Sequence, residues 1–195
     1  MRSNASYVVT GGGRGVGRAV VERLLAEGAH VVTIELEATA AGWFDELPEQ
    51  RRIVQIIGDA SDEAVAAQAA ERAQSSAPLA GWVNNAASFK DASLHSASAA
   101  TVLGVIGSHL DAAVAGCSAA VRAFLAAGTG GSIVNVSSHQ AQRPVPGCLP
   151  YATAKSASHR GRPAWLVRRS SNFSAEKNGS ALISSAYTSR YTSTR

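Results

Sequence analysis

Cysteine is scarce in this chain, which has only Cys117 and Cys148 among its 195 residues. Two cysteines exclude a disulfide framework, and neither they nor the histidines show the spacing of metal ligands. We therefore expect two plain buried thiols and no metal. No apolar run approaches the roughly 20 residues needed to span a bilayer, and the first residues, Met1–Asn4, do not resemble a signal peptide. These absences predict a cytoplasmic location.

Charge is also sparse, and it is unevenly distributed. Residues 1–158 carry 11 Lys/Arg and 13 Asp/Glu, whereas residues 159–195 carry 7 and 1. A nucleic-acid-binding domain needs a basic face on a folded module. Because the basic excess belongs to the last fifth of the chain, the sequence gives no support for nucleic acid as a partner.

The glycine-rich stretch Gly11–Gly17 organises the rest of the chain. It follows the apolar run Tyr7–Thr10 directly, and an amphipathic segment that ends near Gly28 follows it. The expected buried positions of that segment are Val16, Ala19, Val20 and Leu24. The order predicts a strand, a tight glycine turn and a helix.

Such a turn suits a dinucleotide. Glycine allows a backbone with positive φ and a close approach to a ligand, and a helix N-terminus directs free N–H groups at a pyrophosphate. A second strand, His30–Ile34, ends at Glu35, whose carboxylate can accept hydrogen bonds from a ribose diol.

The remaining segments alternate between strand and helix patterns. The predicted elements are a strand over 52–57, buried on both faces; a helix from Asp62 to about Gln74; a strand over 79–83; a helix from about Ala97 to Ala127; and a strand over 132–136. The buried face of the long helix is expected to comprise Leu103, Ile106, Leu110, Val114, Cys117, Val121 and Phe124. This alternation predicts a single α/β domain with a doubly wound parallel sheet.

Ser138, Tyr151 and Lys155 form the candidate catalytic set. Tyr151 and Lys155 are four residues apart, so a helix places them on one face. A neighbouring ammonium favours the phenolate form of a tyrosine, which makes that tyrosine usable as a proton donor or acceptor. Ser138 follows the fifth predicted strand and can hold a substrate oxygen on which charge develops.

These motifs resemble those of the short-chain dehydrogenase/reductase family. The resemblance covers about residues 5–158. It rests on T-G-x-x-x-G-x-G at Thr10–Gly17, on Asp59 after the third strand, on Asn84–Ala87, and on the Ser138, Tyr151 and Lys155 set. Ala87 departs from the family's N-N-A-G. Taken singly, Asp59 and the asparagines are equally compatible with ordinary turns.

The resemblance implies a Rossmann fold and an NAD(P)-dependent oxidoreductase that acts on a small carbonyl or alcohol. It implies catalysis by Ser138, Tyr151 and Lys155, and usually a homo-oligomer, to which the helix of Tyr151 contributes. The implied cofactor-binding residues are Thr10, Gly11, Arg14, Gly15, Val16, Gly17, Glu35, Asp59, Asn85, Ala86, Tyr151 and Lys155.

The acidic residue after the second strand predicts NAD rather than NADP. Glu35 would repel a 2′-phosphate and accept a hydrogen bond from a free 2′-OH. Arg14 acts in the opposite sense, because a guanidinium in the glycine turn can pair with that phosphate. We expect the direct carboxylate contact to dominate.

Two departures from the family pattern favour an alternative. The family's catalytic asparagine is absent, and an ungapped count places His109 there, either as a buried helix residue, the favoured interpretation, or as a proton conductor. Beyond Ser158 the resemblance stops. Residues 159–195 read as a basic, Ser/Thr-rich, disordered tail that replaces two strands, with Ala181–Ser184 the one strand-like run. We expect a shifted reading frame, an exposed edge at the fifth strand, a compromised oligomer interface and impaired activity. The alternative function is a non-catalytic nucleotide-binding remnant.

Overall fold

A six-stranded sheet with helices on both faces forms the core of the computed structural model. The structure describes residues 4–38, 43–44, 47–87, 92–143, 145–160 and 186–191. The strands are β1 (Ser6–Thr10), β2 (His30–Glu35), β3 (Ile53–Ile57), β4 (Leu79–Asn84), β5 (Gly131–Val136) and β6 (Ala186–Tyr191). The helices are α1 (Gly15–Ala26), α2 (Glu63–Ser76), α3 (Ala99–Ala126) and α4 (Leu149–Arg160), with 3₁₀ turns at Gln50–Arg52 and His139–Ala141.

The strand order is β3-β2-β1-β4-β5-β6. Strands β1 to β5 are parallel, and β6 runs antiparallel to β5. The order reverses at β1, which pairs with both β2 and β4. In an open α/β sheet, ligands bind at such a reversal, outside the carboxyl ends of the strands. The predicted Rossmann-type fold is confirmed.

Each face of the sheet has its own apolar cluster. Val8 and Val9 are adjacent in β1 and fully buried, but they point to opposite faces. Val9 packs with the helix α1, whereas Val8 packs with α2 and α3. Strands covered on both faces are continuously apolar for this reason.

Helix α1 buries a different face from the one that its periodicity predicts. Val16 is 61% exposed, and Ala19 is also exposed. The buried residues are Gly17, Val21, Leu24 and Leu25. The helix is rotated because Gly17 lies against the carbonyl of Gly11, where no larger residue fits.

Helix α3 packs through small residues rather than through its long apolar side chains. Leu103 and Val114, both expected inside, are 66% and 40% exposed. Five of its eight buried residues are alanine or glycine, and Phe124 is buried as expected. A Cβ on Gly116 would lie 2.1 Å from Oδ1 of Asn84. The helix therefore lies too close to β4 to accommodate large side chains at its contact.

The sequence-based expectation that no segment could span a membrane needs correction. Helix α3 is long and apolar enough to cross a membrane by length and composition alone, and 28% of its most apolar 18-residue segment is buried. Nevertheless, α3 packs against β4, β5 and α2 as one layer of the sheet domain.

Strand β3 is not buried on both faces as predicted. It is an edge strand of the sheet, paired only with β2 among the described strands. Ile57 is 49% exposed, whereas Ile56 is buried. An edge position was not foreseen because its sequence is as apolar as that of an interior strand.

Strand β5 is not a sheet edge, in contrast to the expectation from the tail composition. All six residues of β5 are in register with β6, from Gly131 opposite Tyr191 to Val136 opposite Ala186. The expected disorder of residues 159–195 is therefore wrong for β6. Residues 161–185 and 192–195, including the run Ala181–Ser184, lie outside the described residues.

Candidate active site

The glycine turn joins β1 to α1 at the carboxyl edge of the sheet. Gly11 and Gly15 have φ values of 68° and 55°, in the left-handed region that favours glycine. A Cβ on Gly17 would lie 1.9 Å from the carbonyl oxygen of Gly11. Arg14 is the N-cap of α1, but its side chain makes no capping hydrogen bond within the described part of the chain. The first N–H groups of α1 are thus free of a side-chain cap at this end, which suits an anion.

Thr10, Asn85 and Ala86 hold this turn against β4. The Thr10 hydroxyl accepts hydrogen bonds from the backbone N–H groups of Asn85 and Ala86, at 3.0 and 2.9 Å. The Asn85 amide donates to the carbonyl oxygens of Thr10 and Gly11, at 3.1 and 2.8 Å. These three predicted site residues therefore meet at the sheet reversal, where they shape the glycine turn.

Glu35 is buried against the same turn. Its carboxylate accepts a hydrogen bond from the N–H of Gly13 at 2.9 Å, and its side chain is almost inaccessible. Burial raises the pKa of Glu35 above its usual value, although hydrogen bonds from the Gly12 and Gly13 backbone and the charge of Arg14 oppose the shift. Glu35, which favours NAD, and Arg14, which favours NADP, are thus close enough at this turn for their charges to interact.

Trp43 is a contributor to this turn that sequence reasoning missed. Its indole N–H donates to the carbonyl oxygen of Gly13 at 2.8 Å. The guanidinium of Arg18 lies 4.4 Å from the centre of the Trp43 ring. The only signal in the sequence is a tryptophan-phenylalanine pair in a segment otherwise typical of a loop.

Asp59 lies in an exposed turn after β3. Its carboxylate accepts hydrogen bonds from the N–H and the hydroxyl of Ser61, both at 2.8 Å. These bonds lower the pKa of Asp59 below its usual value. The side chain helps to form the turn that leads to α2, which Asp62 caps at the N–H of Ala64 as predicted.

Tyr151 and Lys155 share the buried face of α4, as their spacing predicts. Both are less than a tenth exposed. The Lys155 ammonium donates to the carbonyl oxygen of Val136 at 2.8 Å and lies 5.6 Å from the centre of the Tyr151 ring. Burial lowers the pKa of Lys155 below its usual value.

Ser138 lies just beyond this contact, at the carboxyl end of β5. Its hydroxyl accepts a hydrogen bond from the N–H of Gln140 at 3.2 Å and begins the 3₁₀ turn His139–Ala141. The preceding Ser137 donates to the carbonyl oxygen of Lys155 at 3.2 Å. Two hydrogen bonds therefore join the end of β5, next to Ser138, to Lys155 of α4.

His109 is half-buried in α3 and contacts Tyr151 of this set, so its role as a helix residue or as a proton conductor stays a prediction. Its ring meets that of Tyr151 edge to face, with the ring centres 5.5 Å apart. His109 and Lys155 also line a small cavity, together with Thr10, Asn84, Asn135 and Ser158. The amide of Asn84, which belongs to the Asn84–Ala87 motif but not to the implied cofactor-binding residues, donates to Oδ1 of Asn135 at 2.8 Å. Ala86, Ala112, Ala113 and Val136 complete the lining, so the walls of this cavity are part polar and part apolar.

The two cysteines are free and half-buried, not fully buried as expected. Burial raises the pKa of Cys117, and hydrogen bonds with Asn135 and Asn84 oppose that shift. Within the described ranges, no group of three His, Cys, Asp or Glu side chains could hold a metal ion. The absence of a metal stays a prediction.

The fold and the site together define a class: a doubly wound α/β domain with a glycine turn at the sheet reversal and a buried tyrosine–lysine pair. The family model described as short chain dehydrogenase matches residues 6–160. The chain belongs to this short-chain dehydrogenase family, as its motifs predict.

Individual relatives agree with this assignment. The chain is 30% identical over 156 residues to the 3-oxoacyl-[acyl-carrier-protein] reductase FabG of Chlamydia trachomatis. The matched residues make up 78% of this chain and 62% of that relative. It is 32% identical over 154 residues to the probable oxidoreductase EphD of Mycobacterium tuberculosis, which covers 77% and 26%. The chain therefore spans about three fifths of the FabG relative and a quarter of EphD.

Solved structures show the same fold. An apo SCOR enzyme from Clostridium thermocellum is 25% identical, with a TM-score of 0.68 over 80% of this chain and 63% of that one. The aldohexose dehydrogenase AldT of Thermoplasma acidophilum has a TM-score of 0.67 at 22% identity, over 80% and 57%.

Proposed function

We propose that the chain is an NAD-dependent oxidoreductase that interconverts a small carbonyl compound and the corresponding alcohol. The observation that carries the proposal is that buried Lys155 contacts both Val136 and the face of the Tyr151 ring. Val136 lies two residues before Ser138 in the chain. A lysine and a tyrosine buried together at the carboxyl end of a strand form a typical acid–base site.

The glycine turn fits a dinucleotide. A Cβ on Gly15 would meet no atom within 4 Å, so the backbone there is open to close approach, and the N-terminus of α1 suits a diphosphate. We assign the diphosphate to the N–H groups of the turn, over Gly11–Gly17. The adenosine is assigned to Glu35 and Asp59, and the nicotinamide ribose to Tyr151 and Lys155. When bound, the nicotinamide supplies or accepts the hydride.

The protein's own residues manage the oxygen and its proton. The Ser138 hydroxyl orients the substrate oxygen, and the Tyr151 hydroxyl donates a proton to that oxygen during reduction or takes it during oxidation. The positive charge of Lys155 stabilises the phenolate that Tyr151 forms when it has given up its proton. Burial of both side chains strengthens this interaction, because a low dielectric weakens screening.

NAD is the proposed cofactor because Glu35 lies at the end of β2. Its carboxylate is held against the glycine turn by Gly13, where it would repel a 2′-phosphate. Arg14 opposes this preference, but its side chain is exposed.

The remaining proposals are a small-molecule substrate, no nucleic-acid or membrane partner, and a cytoplasmic location. Exposed apolar side chains on α3, such as Leu103 and Val114, support self-association.

The proposal is tested by turnover and binding together. Purified protein is assayed with NAD and NADP against a panel of ketones and alcohols, while calorimetry measures the affinity for each cofactor. We expect NAD-linked turnover that is lost in Tyr151→Phe. NADP bound tenfold more tightly than NAD would contradict the cofactor assignment.

A non-catalytic nucleotide-binding domain is the second candidate. It is favoured by His109 at the position of the family's asparagine. Cofactor binding without turnover on any panel member would support this candidate over the enzyme.

A further inference from the structure

The peptides on both sides of Gly13 are fixed by two side chains from different parts of the chain. The N–H of Gly13 donates to Glu35 at 2.9 Å, and its carbonyl oxygen accepts from Trp43 at 2.8 Å. Gly13 itself is buried, so its N–H and C=O would be costly to leave without partners. We refer to Glu35, Gly13 and Trp43 as the Gly13 clamp.

Fixing the Gly13 carbonyl also fixes the entry into α1. In a trans peptide, the N–H points opposite to the C=O. The bond from Trp43 therefore sets the direction of the Arg14 N–H, and Arg14 is the N-cap of α1, with an extended backbone at φ −152°. The orientation of this peptide decides how the uncapped end of α1 faces a ligand.

The indole of Trp43 is itself held in place. It packs edge to face on Phe44, with ring centres 4.6 Å apart and an angle of 68°. On its other contact it lies under the guanidinium of Arg18, which forms an ion pair with Glu22 at 2.8 Å. Both Arg18 and Glu22 belong to α1, so the tryptophan braces the helix as well as the turn that precedes it.

We propose that Trp43 is a positioning residue for the cofactor: with Glu35 it holds the Gly13 peptides so that the N-terminus of α1 faces the diphosphate of the dinucleotide. The inference rests on the proposed function for the identity of the ligand. The clamp itself rests only on contacts within this chain.

The decisive variant is Trp43→Phe, which keeps an aromatic ring on Phe44 and Arg18 but removes the N–H donor. Loss of one hydrogen bond is expected to raise the Kd for NAD and for ADP about fivefold. The KM for NAD should rise with it while kcat stays unchanged, because Trp43 does not touch the reacting atoms. Phe44→Leu is the matched control: it disturbs the same aromatic cluster but leaves the hydrogen bond donor.

The carbonyl ¹³C resonance of Gly13 provides a readout that does not depend on any cofactor. In Trp43→Phe that resonance should move upfield, because the carbonyl loses the indole donor, whereas in Phe44→Leu it should not. Phe44→Leu should lower the Tm without changing the Kd for ADP.

The outcomes separate the clamp from the function. An unchanged Gly13 carbonyl resonance in Trp43→Phe, or equal weakening of ADP binding in both variants, would overturn the inference. Failure of the wild type to bind NAD, NADP or ADP would contradict the proposed function and the assigned ligand, while the shifted Gly13 carbonyl resonance would still establish the clamp.

Discussion

At the scale of single residues, Tyr151 gives the most direct test of the chemistry. Removing its hydroxyl in Tyr151→Phe is expected to lower kcat by about 10²–10⁴-fold, the usual contribution of a general acid–base group. The Kd for NAD should rise by no more than about fivefold, because the variant loses one hydrogen bond to the nicotinamide ribose and keeps the diphosphate contacts. Stopped-flow turnover and calorimetry measure the two quantities. Tyr7→Phe, at the opposite end of β1, is the control for loss of a phenol, and equal activity of the two variants would exclude Tyr151 as the acid.

Glu35 predicts a pH-dependent choice of cofactor. Burial raises the pKa of Glu35, so the carboxylate takes up a proton at a higher pH than an ordinary glutamate does. As the pH falls through that pKa, the charge that repels a 2′-phosphate disappears, and the ratio of the Kd for NADP to that for NAD should fall. Calorimetry between about pH 5 and 8 measures this ratio, a range set by ordinary carboxyl and phosphate ionisation. In Glu35→Gln the ratio should be lower at neutral pH and should vary only with the ionisation of the phosphate. A ratio with the same pH dependence in both proteins would rule out Glu35 as the discriminating group.

His109 can be tested because its ring contacts Tyr151 and lines the same small cavity as Lys155. If an imidazole moves protons there, His109→Leu should lower kcat by about 10-fold or more, on the scale of acid–base contributions. His109→Asn, which restores the family's residue, should keep turnover close to that of the wild type. The pH profile of kcat should shift in both variants, because both lose the imidazole. Turnover of His109→Leu equal to that of the wild type would show that the ring has only a packing role.

At the scale of elements, the start of α1 depends on one glycine. Gly17→Ala places a Cβ 1.9 Å from the Gly11 carbonyl oxygen and 2.5 Å from the Asn85 amide nitrogen. The turn must therefore move, and we expect a loss of about 1–3 kcal/mol of unfolding free energy, together with weaker NAD binding.

The matched variant is Gly104→Ala in α3, where an added Cβ meets no atom within 4 Å. This change should stabilise the protein by about 0.5–1 kcal/mol, the usual helix preference of alanine over glycine. Urea unfolding with a cofactor titration distinguishes the two. If Gly17→Ala binds NAD as the wild type does, the glycine turn is not the diphosphate site.

At the scale of the whole molecule, the pairing of β5 with β6 decides whether the sheet has an apolar edge. A chain ending at residue 185 would lack β6 and leave one side of β5 without partners. We expect this chain to aggregate more readily, because an unpaired apolar strand recruits other strands. Amide exchange should show Ile133 and Val134 protected in the full chain and less protected in the shortened one. Equal exchange in both would contradict the β5–β6 pairing.

The composition change after Ser158 remains a separate hypothesis about the gene. The proposal of a shifted reading frame rests on the abrupt end of the resemblance and on the basic, Ser/Thr-rich text that follows. Resequencing the coding DNA around codon 158 tests it directly. Brisk NAD-linked turnover by a chain with an unaltered coding sequence would contradict both the frame shift and the expected impairment.

The sequence by itself determined the order of elements and the motifs that they carry. Glycines at Gly11–Gly17, the capping residue Asp62 and the spacing of Tyr151 and Lys155 act within a few residues of themselves, so their local consequences can be predicted from the chain alone. The family assignment follows from these local motifs in their order, and the match over residues 6–160 confirms it.

Only the tertiary structure decided which faces are buried and which distant side chains meet. The periodicity of apolar residues predicts which side of a helix is apolar, but it does not predict how closely that helix packs against the sheet. For this reason Val16 and Leu103 are exposed, while Gly17 is buried in α1 and glycine and alanine take most of the buried positions of α3. The hydrogen bond of Trp43 with Gly13, the ring contact of His109 with Tyr151 and the pairing of β6 with β5 all join residues far apart in sequence. Such contacts depend on how the whole chain packs, because no local preference of either partner specifies the other.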